Sequence, residues 1–287
     1  MISLKEWEQQ GQYEKIKERQ IFTRQGGDKN MPALLLIHGY PSASWDWEGM
    51  WDELTERYYV ITLDMLGFGL SDKPKDASYL ISEQADIFES FLQTLGVDNY
   101  HILAHDYGDT VAQELLARQV NGSSKLTIHS VCFLNGGLFP ETHRPILVQK
   151  LLLSPLGPLV SKLISKQKFA ANLQRIFGPK TPPNTEVIDT LWQLLTHNNG
   201  LGVMHKLINY IPQRKKYRKR WVGAIIDSPV PIKLIAGAKD PISGQHMIER
   251  YRTLIPNANI TVMPDLGHYP QIEDADAIST AYLQFRD

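Results

Sequence analysis

Three residue types, in one order along the chain, set the chemical question: Asp106, then Asp240, then His268. Asp106 stands in Ala104-His105-Asp106-Tyr107-Gly108, after an apolar run from Tyr100 to Ala104 and before a helical pattern from Val111 to Leu116. Small residues at 104 and 108 allow a sharp strand-to-helix turn that holds one side chain up at the sheet edge. The N-terminus of the following helix favours an anion there. Taken alone, an aspartate at this place is an ordinary helix N-cap. Its partners change that reading. Asp240 lies in Gly237-Ala238-Lys239-Asp240-Pro241, and His268 in Leu266-Gly267-His268-Tyr269-Pro270, each after a further apolar run. Nucleophile, acid and histidine, all at strand ends on one side of a sheet, form a triad in which the acid orients the histidine.

A carboxylate nucleophile narrows the reaction. Attack on an sp³ carbon leaves an alkyl ester on Asp106, and water activated by His268 can then cleave that ester at its carbonyl. A serine in the same place would leave an ether, which water does not readily cut. Asp106 therefore favours epoxide opening or carbon–halogen displacement over ordinary ester hydrolysis. His38-Gly39-Tyr40-Pro41 follows the run Ala33 to Ile37. The backbone N–H groups of Tyr40 and Tyr107 are expected to form the oxyanion hole. His38 and Trp45 are substrate-binding candidates, with loop bracing and helix packing as their plainer roles. His105 is read as structural.

The elements that must position these residues are readable as well. Eight short runs read as strands: 13–17 and 20–24 as a hairpin, then 33–37, 59–63, 100–104, 130–134, 232–236 and 260–263. Such apolar runs are typical of strands buried on both faces of a parallel sheet. Helical patterns lie between them, so the expectation is an α/β protein with a mostly parallel eight-stranded sheet and helices on both faces. The alternation breaks from Leu138 to Asp227, where helical patterns and turn residues run without a convincing strand. The expected division is a core of 1–137 and 228–287 and a helical cap of 138–227, inserted after strand 6. A cap there would cover the strand ends where open α/β sheets bind ligands.

Composition excludes several function classes. With 43% apolar residues, 21% charged residues and a formal net charge of −1, the 287-residue chain has no global field for nucleic acid. The single cysteine, Cys132, lies in an apolar run and is expected in the core. No His, Cys or carboxylate cluster has metal-ligand spacing, so no metal and no cofactor are expected. The N-terminus lacks a signal-peptide core, and no apolar run reaches a membrane span. The default expectation is a cytoplasmic monomer or homodimer acting on a small apolar or amphipathic organic substrate, with no nucleic-acid partner and a membrane surface as the lesser alternative. The basic stretch from Arg214 to Arg220 is read as a solvated cap face. With the apolar stretch Ile146 to Ile164, it is the feature that would argue for a lipid surface. Gly67, Gly69 and Ser71 are too few and wrongly spaced for a phosphate loop.

At His38-Gly39-Tyr40-Pro41, Gly67-Phe68-Gly69-Leu70-Ser71-Asp72-Lys73-Pro74, His105-Asp106-Tyr107-Gly108, Asp240 and His268, the chain resembles the epoxide hydrolase and haloalkane dehalogenase branch of the α/β-hydrolase fold family. The likeness covers nearly the whole chain. The stretches 105–109, 135–145, 213–216 and 220–224 are similar to the mesoderm-specific transcript family in particular. The resemblance implies a cap tyrosine as proton donor to an opening epoxide, and Tyr210 lies where that donor is expected. The second tyrosine usual in the early cap is missing, which leaves His143, His197 or His205 as substitutes. The tryptophan usual beside a dehalogenase nucleophile is replaced by Tyr107. Epoxide hydrolysis therefore ranks first, haloalkane dehalogenation second. Lipid or acyl-ester hydrolysis, acyl transfer and a non-catalytic binding module remain open.

Overall fold

The apolar runs become strands because their side chains are buried on both sheet faces. All five residues of β3 (Ala33–Ile37) and of β4 (Tyr59–Leu63) are buried. The computed structural model describes residues 2–287. The remaining strands are β1 (Gln12–Ile16), β2 (Arg19–Gly26), β5 (Asn99–Ala104), β6 (Thr127–Phe133), β7 (Ile232–Gly237) and β8 (Asn259–Met263). They form one eight-stranded sheet in the order β1-β2-β4-β3-β5-β6-β7-β8. β1 and β2 make an antiparallel hairpin, β2 runs antiparallel to β4, and every other neighbour is parallel. The order turns around β3, which pairs with both β4 and β5. Ligands of open α/β sheets bind where the order reverses in this way. Tyr40 follows β3 and Asp106 follows β5, so both stand at that crevice.

Helices cover both faces. Ile81–Thr94 packs beside Tyr107–Val120, and Ala275–Arg286 beside Glu48–Thr55. Helix Ile81–Thr94 ends at Gly96, whose φ of +71° is the left-handed conformation glycine adopts without strain. Cys132 is fully buried in β6.

Between β6 and β7 the described residues hold helices and no strand. The longer ones are Lys166–Ile176, Thr185–Thr196 and Arg218–Ile226. The Ile146 to Ile164 stretch is two short helices, Leu147–Leu152 and Gly157–Lys162, broken where Pro155 interrupts the backbone ladder. The far end of the cap is tied to the helix that begins after Asp106. Glu114 of that helix accepts from Arg220 Nε at 2.7 Å, Trp221 Nε1 at 2.7 Å and Arg118 Nε at 3.1 Å. These bonds give a buried carboxylate three charged or polar donors, which offsets its desolvation.

Candidate active site

The turn at Asp106 is as sharp as its sequence suggests. Asp106 has φ 47° and ψ −102°, a conformation that costs a non-glycine residue about 1–3 kcal/mol. Close packing holds it there. A Cβ on Gly108 would lie 2.3 Å from the Ile37 carbonyl oxygen. A Cβ on Gly136 would lie 2.1 Å from Asp109 Oδ2 and 3.0 Å from Asp106 Cα. The Asp106 N–H donates to the Asn135 carbonyl at 3.0 Å, so the loop after β6 braces the turn from behind.

The carboxylate points at donors. The Tyr40 N–H donates to Asp106 Oδ2 at 3.1 Å. The Tyr107 N–H stands in the first turn of its helix, where no intrahelical partner exists. Arg214 corrects the expectation of a solvated basic face. It is only 2% exposed, donates from Nη2 to the Asp106 carbonyl at 2.8 Å, and lies 3.5 Å from Asp106 Oδ1. Its Nε donates to Thr110 Oγ1 at 2.7 Å. A carboxylate this deeply buried needs a compensating charge, and Arg214 supplies one. Arg218 and Arg220 are likewise engaged, in ion pairs with Glu141 at 2.6 Å and Glu114 at 2.7 Å. Only Lys215, Lys216 and Lys219 of that stretch are exposed.

His268 and Asp240 are in hydrogen-bond contact. His268 Nδ1 lies 2.8 Å from Asp240 Oδ2. Asp240 also accepts from Ser243 Oγ at 2.6 Å, Ile242 N at 2.7 Å and Asn135 Nδ2 at 3.1 Å. Burial alone would push the Asp240 carboxyl up, but the His268 charge and these donors hold it down at about 2. Burial would likewise push the His268 imidazole down. The Asp240 charge and hydrogen bond, followed by the Asp106 charge, instead raise it to about 9. His105 braces the loop, its Nε2 donating to the His268 carbonyl at 2.7 Å. Burial drops the His105 ring to about 3, which keeps it neutral and structural.

Tyr210 is fully buried near Asp106, its ring 5.8 Å from that of Tyr40 and 5.0 Å from that of Tyr107. The hydroxyls of Tyr210 and Tyr40 are both buried without a hydrogen-bond partner. Burial, then the Asp106 charge, raises both phenol pKa values well above the ordinary range, so both stay protonated. The Tyr40 hydroxyl is a feature the sequence reading missed, because that residue was singled out for its N–H alone. Tyr40 and His268 line a small apolar cavity, walled by Ile146, Leu152, Phe169 and Leu173 from the cap.

Asp106 and Tyr210 lie behind Tyr40 and His268 rather than among the residues that line this cavity, and the remaining candidates lie off it as well. His38 is braced at both ring nitrogens, by the Gly39 carbonyl at 2.9 Å and the Met65 N–H at 3.0 Å. Trp45 is buried and donates from Nε1 to the Ile2 carbonyl at 3.3 Å. Both side chains take the bracing and packing roles rather than walls of the cavity. His143 is near the site, close to Arg214 at Gly137, with both ring nitrogens unpartnered. His197 and His205 do not line the cavity. Asp109 is a second buried carboxyl near Asp106, both oxygens unpartnered. Burial, then the Asp106 charge, pushes it well above the usual carboxylate range, so it stays neutral. Among the described residues no His, Cys, Asp or Glu cluster could hold a metal ion.

Comparison with known proteins agrees with this fold. Residues 32–275 match the family model described as alpha/beta hydrolase fold. The mesoderm-specific transcript protein of Mus musculus is 43% identical, over 99% of this chain and 88% of its own length. LipZ of Mycobacterium tuberculosis, named as a hydrolase, is 37% identical, over 98% of this chain and 97% of its own. The crystal structure of haloalkane dehalogenase DbeA from Bradyrhizobium elkani shares the fold, with a TM-score of 0.78 and 19% identity, covering 96% of each chain.

Proposed function

Because the chain belongs to the α/β-hydrolase fold family, we propose that it is a hydrolase whose Asp106 carboxylate attacks an sp³ carbon of a small apolar or amphipathic substrate, first of all an epoxide. The observation that carries this reading is the placement of Asp106. A carboxylate occupies the strained turn, facing the Tyr40 N–H, in a site completed by the His268–Asp240 pair.

The steps follow from that geometry. Asp106 forms a bond to one epoxide carbon as the carbon–oxygen bond breaks. The departing oxygen takes a proton from the Tyr210 or Tyr40 phenol, neither of which spends its hydrogen on the protein. Esterification removes the Asp106 charge, one of the anions that raise His268. The imidazolium then releases its proton more readily, which balances the one the phenol gave up. Neutral His268 takes a proton from water as that water attacks the ester carbonyl. The resulting oxyanion falls between the Tyr40 and Tyr107 N–H groups. Collapse expels the diol and restores the carboxylate.

Carbon–halogen displacement ranks second, because a departing halide needs N–H donors. No tryptophan lines the cavity, and Trp45 and Trp221 spend their indole N–H groups on Ile2 and Glu114.

Intact mass of the His268→Gln protein, after exposure to an epoxide panel and a haloalkane panel, tests the proposal. Without the base, the alkyl ester should accumulate on Asp106. A gain of the whole epoxide mass supports epoxide opening, and Tyr210→Phe or Tyr40→Phe should slow it. A gain equal to the haloalkane less HX supports dehalogenation instead. No adduct from either panel overturns the alkyl-ester mechanism and turns attention to acyl substrates or binding without turnover.

A further inference from the structure

We propose that the cap face from Leu147 to Leu163 docks on an anionic lipid surface, and that substrate enters the site from there. The entry route rests on the hydrolase reading above, whereas the docking does not.

Five leucines of two short, consecutive helices and their flanks stand out in water. Leu147 is 71% exposed, Leu151 42%, Leu156 64%, Leu159 57% and Leu163 62%. The other large exposed apolar residues, Tyr13, Leu80, Val120 and Ile226, are scattered along the chain. Scattered ones need no explanation, but a contiguous patch marks an interaction surface.

Charge says what kind of surface. The chain carries 30 basic and 31 acidic residues, yet the segment 142–185 has seven Lys or Arg and no Asp or Glu. Two of those cations are engaged, Lys166 with Asp189 at 2.7 Å and Lys180 with Asp265 at 2.9 Å. Arg144, Lys150, Lys162, Lys168 and Arg175 make no ion pair among the described residues. Apolar side chains ringed by free cations suit an interfacial helix on anionic lipid. A second copy of this face would bring those cations against their own mates across a two-fold axis, which disfavours a dimer through the patch.

Position supplies the third argument. Leu147, Leu151 and Leu163 line an open groove whose rim includes Lys168 and Arg175. Ile146, Val148, Ile164 and Ile176 wall both that groove and the inner cavity that reaches His268. Asn172 is the one polar residue that the two share, so the wall between the patch and the site is mainly apolar, as a path for a lipophilic substrate requires.

The test is co-sedimentation of the whole protein with phosphatidylcholine vesicles, with and without phosphatidylserine, at low and high salt. The comparison protein carries Leu156→Ser, Leu159→Ser and Leu163→Ser, exposed positions whose change should leave unaltered the melting temperature and, with His268→Gln added, the mass adduct with a short soluble epoxide. The expected result is binding to the phosphatidylserine vesicles, weakened by salt, and at least tenfold weaker in the triple variant. Lys150→Gln with Lys162→Gln should also weaken it severalfold. No binding to either vesicle, or binding that ignores the leucines, overturns the proposal, as does a leucine-dependent dimer in sedimentation velocity. Vesicle binding by a protein that forms no adduct would keep the docking and refute only the alkyl-ester reading.

Discussion

Replacing Asp240 by asparagine keeps the shape of the side chain and removes its charge, and the consequence should be legible in stability against pH. In the folded protein His268 holds its proton up to about pH 9, against 6.5 for an ordinary imidazole. Folding therefore favours the charged ring. The sign follows directly: the stabilisation is fully present below pH 6.5 and is lost as pH rises through 9, because over that window the folded chain binds more protons than the unfolded one. The gap between 6.5 and about 9 corresponds to about 3 kcal/mol. Asp240 itself, at about 2 against 3.8, adds stability that is present above pH 3.8 and lost as pH falls through 2. In Asp240→Asn the principal anion facing His268 is gone, and burial then disfavours the imidazolium. Urea denaturation of both proteins from pH 6 to pH 9 is the assay. The variant should be less stable at pH 6, and the difference should shrink by about 3 kcal/mol toward pH 9. Lys73, which burial drops to about 8, pulls the other way above that pH, so the difference between the two proteins is the quantity to read. A difference that stays constant across the window would refute the coupling of His268 to Asp240.

Three further outcomes are expected. Asp106→Asn should lower turnover of any substrate found by roughly 10⁴-fold and abolish the mass adduct, while circular dichroism stays native. Gly108→Ala should destabilise the fold by about 1–3 kcal/mol or more, seen as a lower melting temperature, since its Cβ would sit 2.3 Å from the Ile37 carbonyl oxygen. Arg214→Met should cost about 3–5 kcal/mol in denaturant melts, because it leaves the buried Asp106 carboxylate without its countercharge. An Arg214→Met protein as stable as the parent would show that the guanidinium does not compensate that charge.

The strand ends were legible because burial on both faces forces long apolar runs, and the turn residues after them are local. Ala104 to Gly108 shows the same logic. A strained backbone demands small neighbours at fixed offsets, so the sharp turn at Asp106 is written into five consecutive residues. The order Asp106, Asp240, His268 follows from β5, β7 and β8 pointing the same way, which parallel pairing requires. The cap was visible as a long interruption of that alternation.

Arg214 was not legible, and the reason is physical. It sits in a run of basic residues that reads as a wet surface, and only the docking of the cap onto the helix after Asp106 sends one of them inward. His38 shows the same limit on a smaller scale. A histidine before a glycine loop could contact substrate or brace the loop, and only the bonds to Gly39 and Met65 decide for bracing. For Tyr40, local sequence indicated the backbone N–H, while the fold alone placed an unpartnered phenol beside Tyr210. The leucines from 147 to 163 are the converse case. Their spacing suits a buried face as well as an exposed one, and it is packing that leaves five of them in water. The amino-acid sequence by itself determined which residue would stand at the turn and which strands would carry its partners, since both rest on local sterics and on runs of burial. Which charges are buried, which hydroxyls are left free and which apolar side chains face outward depend on contacts between segments far apart in the chain, and only the tertiary structure decided them.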